Sequence, residues 1–397
     1  MTNPARGRSS VFVLLCTTAP PGEINMESDH SLAVRVRVLG LLALIVATAN
    51  VFARAADISF IGPFNTITIL NSTVPSNGDV NPYGVARVPE SKGNLIEGEF
   101  LISNFNNVMN LQGTGTTIVQ IAPDGTFSLF AQIDPTAVSC PGGIGLTTAL
   151  VALRSGFVVV GSLPTADGSA ATAEAGCLIV LNSTGHVVET ISGHHINGPW
   201  DMTAVDDGFL TTLFVTNVLN GTVAANGNVV YGGTVVRLLL NTFGGGPPQL
   251  LDSTLVASGF PERTDPNALV IGPTGVAFDE ETGNLYVADS LDNRISAVPD
   301  ALFRIFPAGT GFTVSQGGAL NDPLGLAFTP NHHLVVANGD DGNLVEINPA
   351  SGKQVAVKPV DSSGGPPPGS GALFGLIATT DGVYFVDDAS NTFNLLH

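Results

Sequence analysis

A two-part pattern recurs six times along this chain, always in the same order, and it constrains the fold more than any other feature. The first part is a turn residue, one variable residue, a Gly and an apolar residue. It appears as Pro82-Tyr83-Gly84-Val85, Gly143-Ile144-Gly145-Leu146, Pro199-Trp200-Asp201-Met202, Pro273-Thr274-Gly275-Val276, Pro323-Leu324-Gly325-Leu326 and Leu373-Phe374-Gly375-Leu376. The second is a short apolar run that stops at a small polar residue: Asn104, Ser162, Asn217, Asp289, Asn338 and Asp387. The stretch 271–294 is the clearest copy, and alone it would read as a hairpin. The copies start 61, 56, 74, 50 and 50 residues apart. A unit of about 50 residues with several short strands has the period of a propeller blade or a β-solenoid coil.

Third and fourth strands follow the pattern in most units, joined by turns such as Pro123-Asp124-Gly125. The sixth unit stops short, with only Thr392 to Leu396 before His397. An open ring would leave two unpaired strand edges, and the strand Thr66 to Leu70 is placed to supply what is missing. The expected fold is therefore all-β: one six-bladed β-propeller over residues 57–397, closed by an N-terminal strand that completes the last blade. Composition agrees. Gly 47 and Pro 26 make the 397-residue chain turn-rich, and 44% hydrophobic residues in short runs argue against disorder.

The N-terminus is a separate object. Arg35 and Arg37 precede an uncharged run from Val38 to Phe52, which ends in Ala53-Arg54-Ala55. A basic flank, an apolar core and a small-residue end describe a secretory signal peptide. The run is shorter than the roughly 20 residues that span a bilayer, so an uncleaved anchor is the weaker reading. Residues 1–25 lack these features, which makes Met26 a candidate initiator and 1–55 a leader. The mature protein is expected to be secreted, extracellular or periplasmic, free of the membrane and monomeric. The full chain has a formal net charge of −19, and without residues 1–55 nine basic face thirty acidic side chains. Such a field repels phosphate backbones, so no nucleic-acid partner is expected; solubility is the plain reason for such acidity. Cys16 falls in the leader. Cys140 and Cys177 remain, an even pair that suggests a disulfide in an exported chain, with two separate buried thiols as the alternative.

The six stop residues are the first candidate site. Equivalent positions of six blades lie at similar depth near one end of the channel, where Asn104, Ser162, Asn217, Asp289, Asn338 and Asp387 could together hold a cation, a sugar or a small polar molecule. The competing reading is that Asn, Asp and Ser end strands because their side chains satisfy local backbone groups. Tyr83, Trp200 and Phe374 should lie beside them and line an aromatic mouth, unless they fill the core between blades. Two His pairs, His194-His195 and His332-His333, are poor double ligands because adjacent residues in extended chain point to opposite faces. The acidic turns Asp279-Glu280-Glu281 and Asp340-Asp341 read as solvated turns or Ca²⁺ ligands.

At Pro273 to Arg294, with an echo at Pro323 to Asn343, the sequence resembles NHL-repeat propellers. It is also similar to the wider superfamily that includes gluconolactonase, regucalcin-type lactonases and streptogramin lyases. The resemblance implies a six-bladed propeller but no single chemistry. Lactonases of this kind hold a divalent cation through an early Glu, two Asn at strand starts and an Asp that ends a second strand. Asp289 matches the last of these. The strand-start positions carry Tyr83, Ile144, Trp200, Thr274, Leu324 and Phe374 instead of Asn, and Glu97 and Glu99 fall in an inter-strand loop. Streptogramin lyases use a His base, and no His holds a signature position. The function expected is a binding or scaffold module for a small molecule, glycan or protein at the channel mouth, without a defined cofactor. The alternative is a lactonase or esterase-type hydrolase that uses Ca²⁺ or another divalent metal held by Asp289.

Overall fold

The structure, a computed structural model, describes residues 57–397; the leader, the signal peptide and Met26 lie outside the described residues. Strand β1 (Ile67–Ser72) precedes blade 1, which comprises β2 (Val80–Arg87), β3 (Phe100–Asn106), β4 (Thr117–Ile121) and β5 (Phe127–Gln132). Blade 2 comprises β6 (Leu146–Ala152), β7 (Val158–Ser162), β8 (Cys177–Leu181) and β9 (Val187–Ile191). Blade 3 has β10 (Pro199–Asp206), β11 (Leu210–Asn217), β12 (Val230–Asn241), a long β13 (Gln249–Asp265) and an extra β14 (Leu269–Ile271). Blade 4 is β15 (Pro273–Phe278), β16 (Leu285–Asp289), β17 (Arg294–Val298) and β18 (Phe312–Gln316), and blade 5 is β19 (Pro323–Phe328), β20 (Leu334–Asn338), β21 (Asn343–Asn348) and β22 (Lys353–Pro359). Blade 6 takes β23 (Leu373–Thr379), β24 (Gly382–Asp387) and β25 (Thr392–Leu396) from the C-terminus and β1 from the N-terminus.

The ring closes as the sequence implies. Strand β1 pairs antiparallel with β25, from Ile67 opposite Leu396 to Ser72 opposite Thr392. The segment ahead of it is fastened to blade 5. The buried Glu346 carboxylate accepts hydrogen bonds from Ser59 Oγ (2.5 Å), Phe60 N (2.8 Å) and Ile61 N (2.9 Å). His333 Nδ1 lies 2.6 Å from the same carboxylate, and Ile61 is fully buried among blade 5 and 6 side chains.

The signature now has a physical cause. Its two parts are cross-strand partners: Pro82 faces Asn104, Pro199 faces Asn217, Pro273 faces Asp289, Pro323 faces Asn338 and Leu373 faces Asp387. The Gly is demanded by the crowding of inner strands. A Cβ on Gly84, Gly275, Gly325 or Gly375 would run into the carbonyl oxygen of Thr148, Leu324, Phe374 or Tyr83 in the next blade. In blade 3 the position is Asp201, whose carboxylate accepts from Met202 N (2.8 Å) and from Val276 N of blade 4 (3.0 Å).

Blade 2 corrects the sequence alignment. Leu146, not Gly143, pairs with the stop residue Ser162, and Thr147, Thr148 and Ala149 bulge opposite Gly161 before Leu150, two more residues than the partner strand supplies. Thr147 and Thr148 therefore take the place assigned to Ile144. A disulfide joins Cys140 to Cys177 at the start of β8, with Cα atoms 5.4 Å apart, and clips the loop before β6 to its own blade.

Candidate upper-end binding site

The inner strands begin at one end of the ring, called the upper end here. All six stop residues are buried there, but each is engaged within its own neighbourhood. Asn104 Nδ2 donates to Thr73 O (3.1 Å) and Thr117 Oγ1 (3.2 Å). Ser162 Oγ bridges Gly145 N and Gly143 O. Asn217 Oδ1 accepts from Asn197 N (3.0 Å), and Asn338 Nδ2 donates to Ala319 O (2.7 Å). Asp387 accepts from Ser390 N (3.0 Å), and burial raises its pKa. Asp289 accepts from Arg294 Nε (3.1 Å) and an Arg294 terminal nitrogen (2.6 Å). Burial pushes the Asp289 carboxyl up to about 6, against the opposing pull of Arg294.

These residues do not fit a divalent metal centre. A hard cation takes about six oxygen ligands, whereas one Asp289 oxygen is already held by a guanidinium, whose positive charge opposes a cation beside it. Among the described residues no group of three His, Cys, Asp or Glu could hold a metal ion. The His pairs add none: His194 and His195 are exposed at positive φ, His332 is exposed, and His333 is bound to Glu346.

Tyr83, Trp200 and Phe374 do come together, but not around an open mouth. The Tyr83 ring stacks between Phe105 (4.5 Å) and Phe374 (3.8 Å), and Trp200 lies 6.5 Å from Phe374 across the axis. All three are buried. What covers them is the β13–β14 hairpin of blade 3, paired from Arg263 opposite Ile271 to Asp265 opposite Leu269. Its tip is tied to distant blades. Trp200 Nε1 donates to Val270 O (3.0 Å), Tyr83 Oη to Asn267 O (3.3 Å), and Gln112 Nε2 to Pro266 O (3.0 Å) and Asn267 O (2.9 Å). Asn267 Nδ2 donates to Ser370 Oγ (3.1 Å) near blade 6. Leu269 sits at φ 63, a left-handed conformation that costs a side-chain-bearing residue roughly 1–2 kcal/mol. Burial of Leu269 and its neighbours Ala268 and Val270 in the aromatic cluster offsets that strain. The hairpin is a strap across the mouth.

Beside the strap, between blades 1 and 6, lies a recess of about 500 Å³ whose polar wall is formed by Asn81, Asn106, Asn110, Asn267, Asp388 and Asn391. Asn106 is 1% exposed; its Nδ2 donates to Asn110 Oδ1 (2.7 Å), and its Oδ1 has no partner. Asp388 Oδ1 also has none. Burial, followed by the charge of Asp387, raises the Asp388 carboxyl well above the usual carboxylate range. Nearby on the same end, burial pushes Glu262 up to about 7 and Asp322 up to about 8. At the opposite, lower end the six inner strands open into a funnel of about 360 Å³.

Sequence reasoning missed both the strap and the recess. The signal available was the interval of 74 residues at unit 3, the longest of the five, which marks an insertion.

No protein-family model matches this chain, and no curated protein sequence does. Solved structures do. A streptogramin B lyase superposes with a TM-score of 0.50 at 12% identity, over 85% of this chain and 99% of that one. The PQQ-bound aldose sugar dehydrogenase of Streptomyces coelicolor gives 0.50 at 14% identity, over 85% and 100%. A gluconolactonase from Xanthomonas campestris gives 0.48 at 13% identity, over 83% and 88%. The chain is a six-bladed β-propeller similar in architecture to the first two of these. At such identities the likeness concerns the fold alone.

Proposed function

We propose that this protein is a secreted binding propeller that holds a small molecule, a glycan or a protein segment at the upper end of its ring. One observation carries the reading. Buried side-chain oxygens without hydrogen-bond partners gather at that end: those of Asn104, Asn106, Asp289, Asp322, Asn338 and Asp388. Orphaned buried polar atoms each cost about 1–3 kcal/mol and are rare without a reason; a bound molecule or water supplies the missing partners. The hydrolase reading needs a metal held by Asp289, and the Arg294 guanidinium already takes one oxygen of that carboxylate and neutralises its charge.

The test is a thermal-shift screen of small polar molecules, with hydrogen exchange mapping each hit and lactone hydrolysis assayed in parallel with added Ca²⁺ or Zn²⁺. The expected outcome is protection of the upper loops at 106–114, 265–271 and 388–391, with no turnover. Protection confined to the lower turns would overturn the reading. So would metal-dependent lactone hydrolysis that Asp289→Ala abolishes.

A further inference from the structure

We infer that the recess between blades 1 and 6 binds a neutral polyhydroxyl ligand, a sugar or a sugar alcohol; this rests on the upper-end reading above. The argument starts from what the recess lacks. No Lys, Arg or His lines it, so an anion would find no counter-charge. Its one carboxyl, Asp388, is raised well above the usual carboxylate range by burial and then by Asp387, which weakens it as a counter-charge for a cation. No aromatic ring lines it, so a planar base would have nothing to stack on.

What it has is a set of amide and carboxyl groups with unused hydrogen-bonding capacity. Asn106 Oδ1 and Asp388 Oδ1 are buried acceptors without partners. Asn391 Oδ1 is taken by Asn81 N (2.8 Å) and Asn110 Oδ1 by Asn106 Nδ2 (2.7 Å), which leaves the NH₂ groups of Asn391 and Asn110 to donate. Each ligand hydroxyl offers one donor and two acceptor lone pairs, so a polyhydroxyl compound satisfies both kinds at once. Val80, Val108 and Pro266 supply apolar surface for the C–H faces of such a molecule. The volume of about 500 Å³ lies within the range of small-ligand sites. The Asn106 carboxamide is the anchor, because it is the most deeply buried of the orphaned groups here and one end of it is already fixed by Asn110.

The experiment titrates the secreted protein with glucose, galactose, mannose and myo-inositol by calorimetry and saturation-transfer NMR, with acetate, phosphate and choline as charged controls. At least one polyhydroxyl probe should bind. Val108→Trp, at a position that is 64% exposed on the rim, should fill the recess without disturbing the fold and weaken binding at least tenfold. Asp388→Ala, which removes the Oδ1 acceptor, should weaken it by up to about tenfold, the worth of one hydrogen bond, whereas Asp388→Asn, which keeps that acceptor, should leave it nearly unchanged. Failure of all four probes, or binding unchanged by Val108→Trp, would overturn the assignment. A charged control that binds and is blocked by Val108→Trp would overturn the ligand class while leaving the upper-end reading intact. Absence of any upper-end ligand in the wider screen would remove both.

Discussion

The two ends of the ring are built by opposite rules. At the lower end most turns are short and many of their polar groups are satisfied on the spot, although Ser155 Oγ and Thr242 Oγ1 are buried without partners. Asp124 accepts from Thr126 N (2.9 Å), Asp207 from Phe209 N and Leu210 N (both 2.8 Å), and Asp279 from Glu281 N (2.9 Å). Backbone N–H groups hold the Asp124 and Asp207 carboxyls below the usual range. Glu346, which grips residues 59–61, is likewise lowered, because the Ser59 hydroxyl and the Phe60 and Ile61 N–H groups outweigh its burial. At the upper end a strap crosses the axis, orphaned oxygens remain, and burial raises Glu262, Asp322 and Asp388. One end is made for closure. The other carries unused hydrogen-bonding capacity, and that is what a binding surface needs.

The largest expected effect sets the scale for both ends. Deleting residues 57–72 removes β1 and the Glu346 anchor together, so the ring should lose its cooperative thermal transition. A truncated protein that melts like the full one would mean that blade 6 is stable with three strands. At the upper end, Leu269→Ala should cost about 2–5 kcal/mol, as for other buried Leu truncations, reduced by relief of its left-handed strain. At the lower end, Phe303→Ser, at a side chain that is 85% exposed, should change stability by less than about 0.5 kcal/mol. Equal values from denaturant unfolding would break the comparison. Replacing Cys140 and Cys177 with Ala should cost about 2–4 kcal/mol and localise to blade 2 in hydrogen exchange.

The upper carboxyls and Glu346 should respond to pH in opposite senses, with Asp201 of the lower funnel, pushed up to about 7 by burial, joining the upper group. Asp322, Glu262 and Asp289 have folded pKa values of about 8, 7 and 6, above their unfolded values. Their contribution is whole below about pH 4 and is lost as pH rises through roughly 6 to 8. Glu346 is lowered on folding, so its contribution is present above its unfolded value and is lost as pH falls through its folded one. Tm should therefore be highest at about pH 4–5. Asp322→Asn should flatten the alkaline limb and Glu346→Gln the acid limb. If Asp322→Asn leaves the alkaline limb unchanged, the upper carboxyls are not the cause.

Much of the fold is legible in the sequence because blade structure is local. A Pro and a polar stop residue that face each other across one hairpin, and a Gly wherever the next blade's carbonyl approaches, leave a repeat at fixed spacing. The missing last strand and the spare N-terminal one are visible for the same reason. Blade 2 shows the limit: its inner strand pairs three residues later, at Leu146 rather than Gly143, so Thr147 and Thr148 take the place that the repeat assigns to Ile144, because backbone register outweighs a two-Gly pattern.

The candidate site was legible only in its ingredients. Tyr83, Trp200 and Phe374 do converge, but an aromatic at a strand start looks the same whether it lines a mouth or lies beneath a strap. Asp289 resembles a metal ligand until Arg294, five residues on, is seen to fold back onto it. The recess joins Asn81, Asn106, Asn267 and Asp388, which belong to three separate parts of the ring and share no spacing. By itself the sequence determined a closed ring of six blades, since the strand pattern and the crowding Gly residues act over short range. Only the tertiary structure decided that the mouth is strapped shut and that an amide-lined recess opens beside it. Those features depend on contacts between residues more than a hundred positions apart, which no local pattern records.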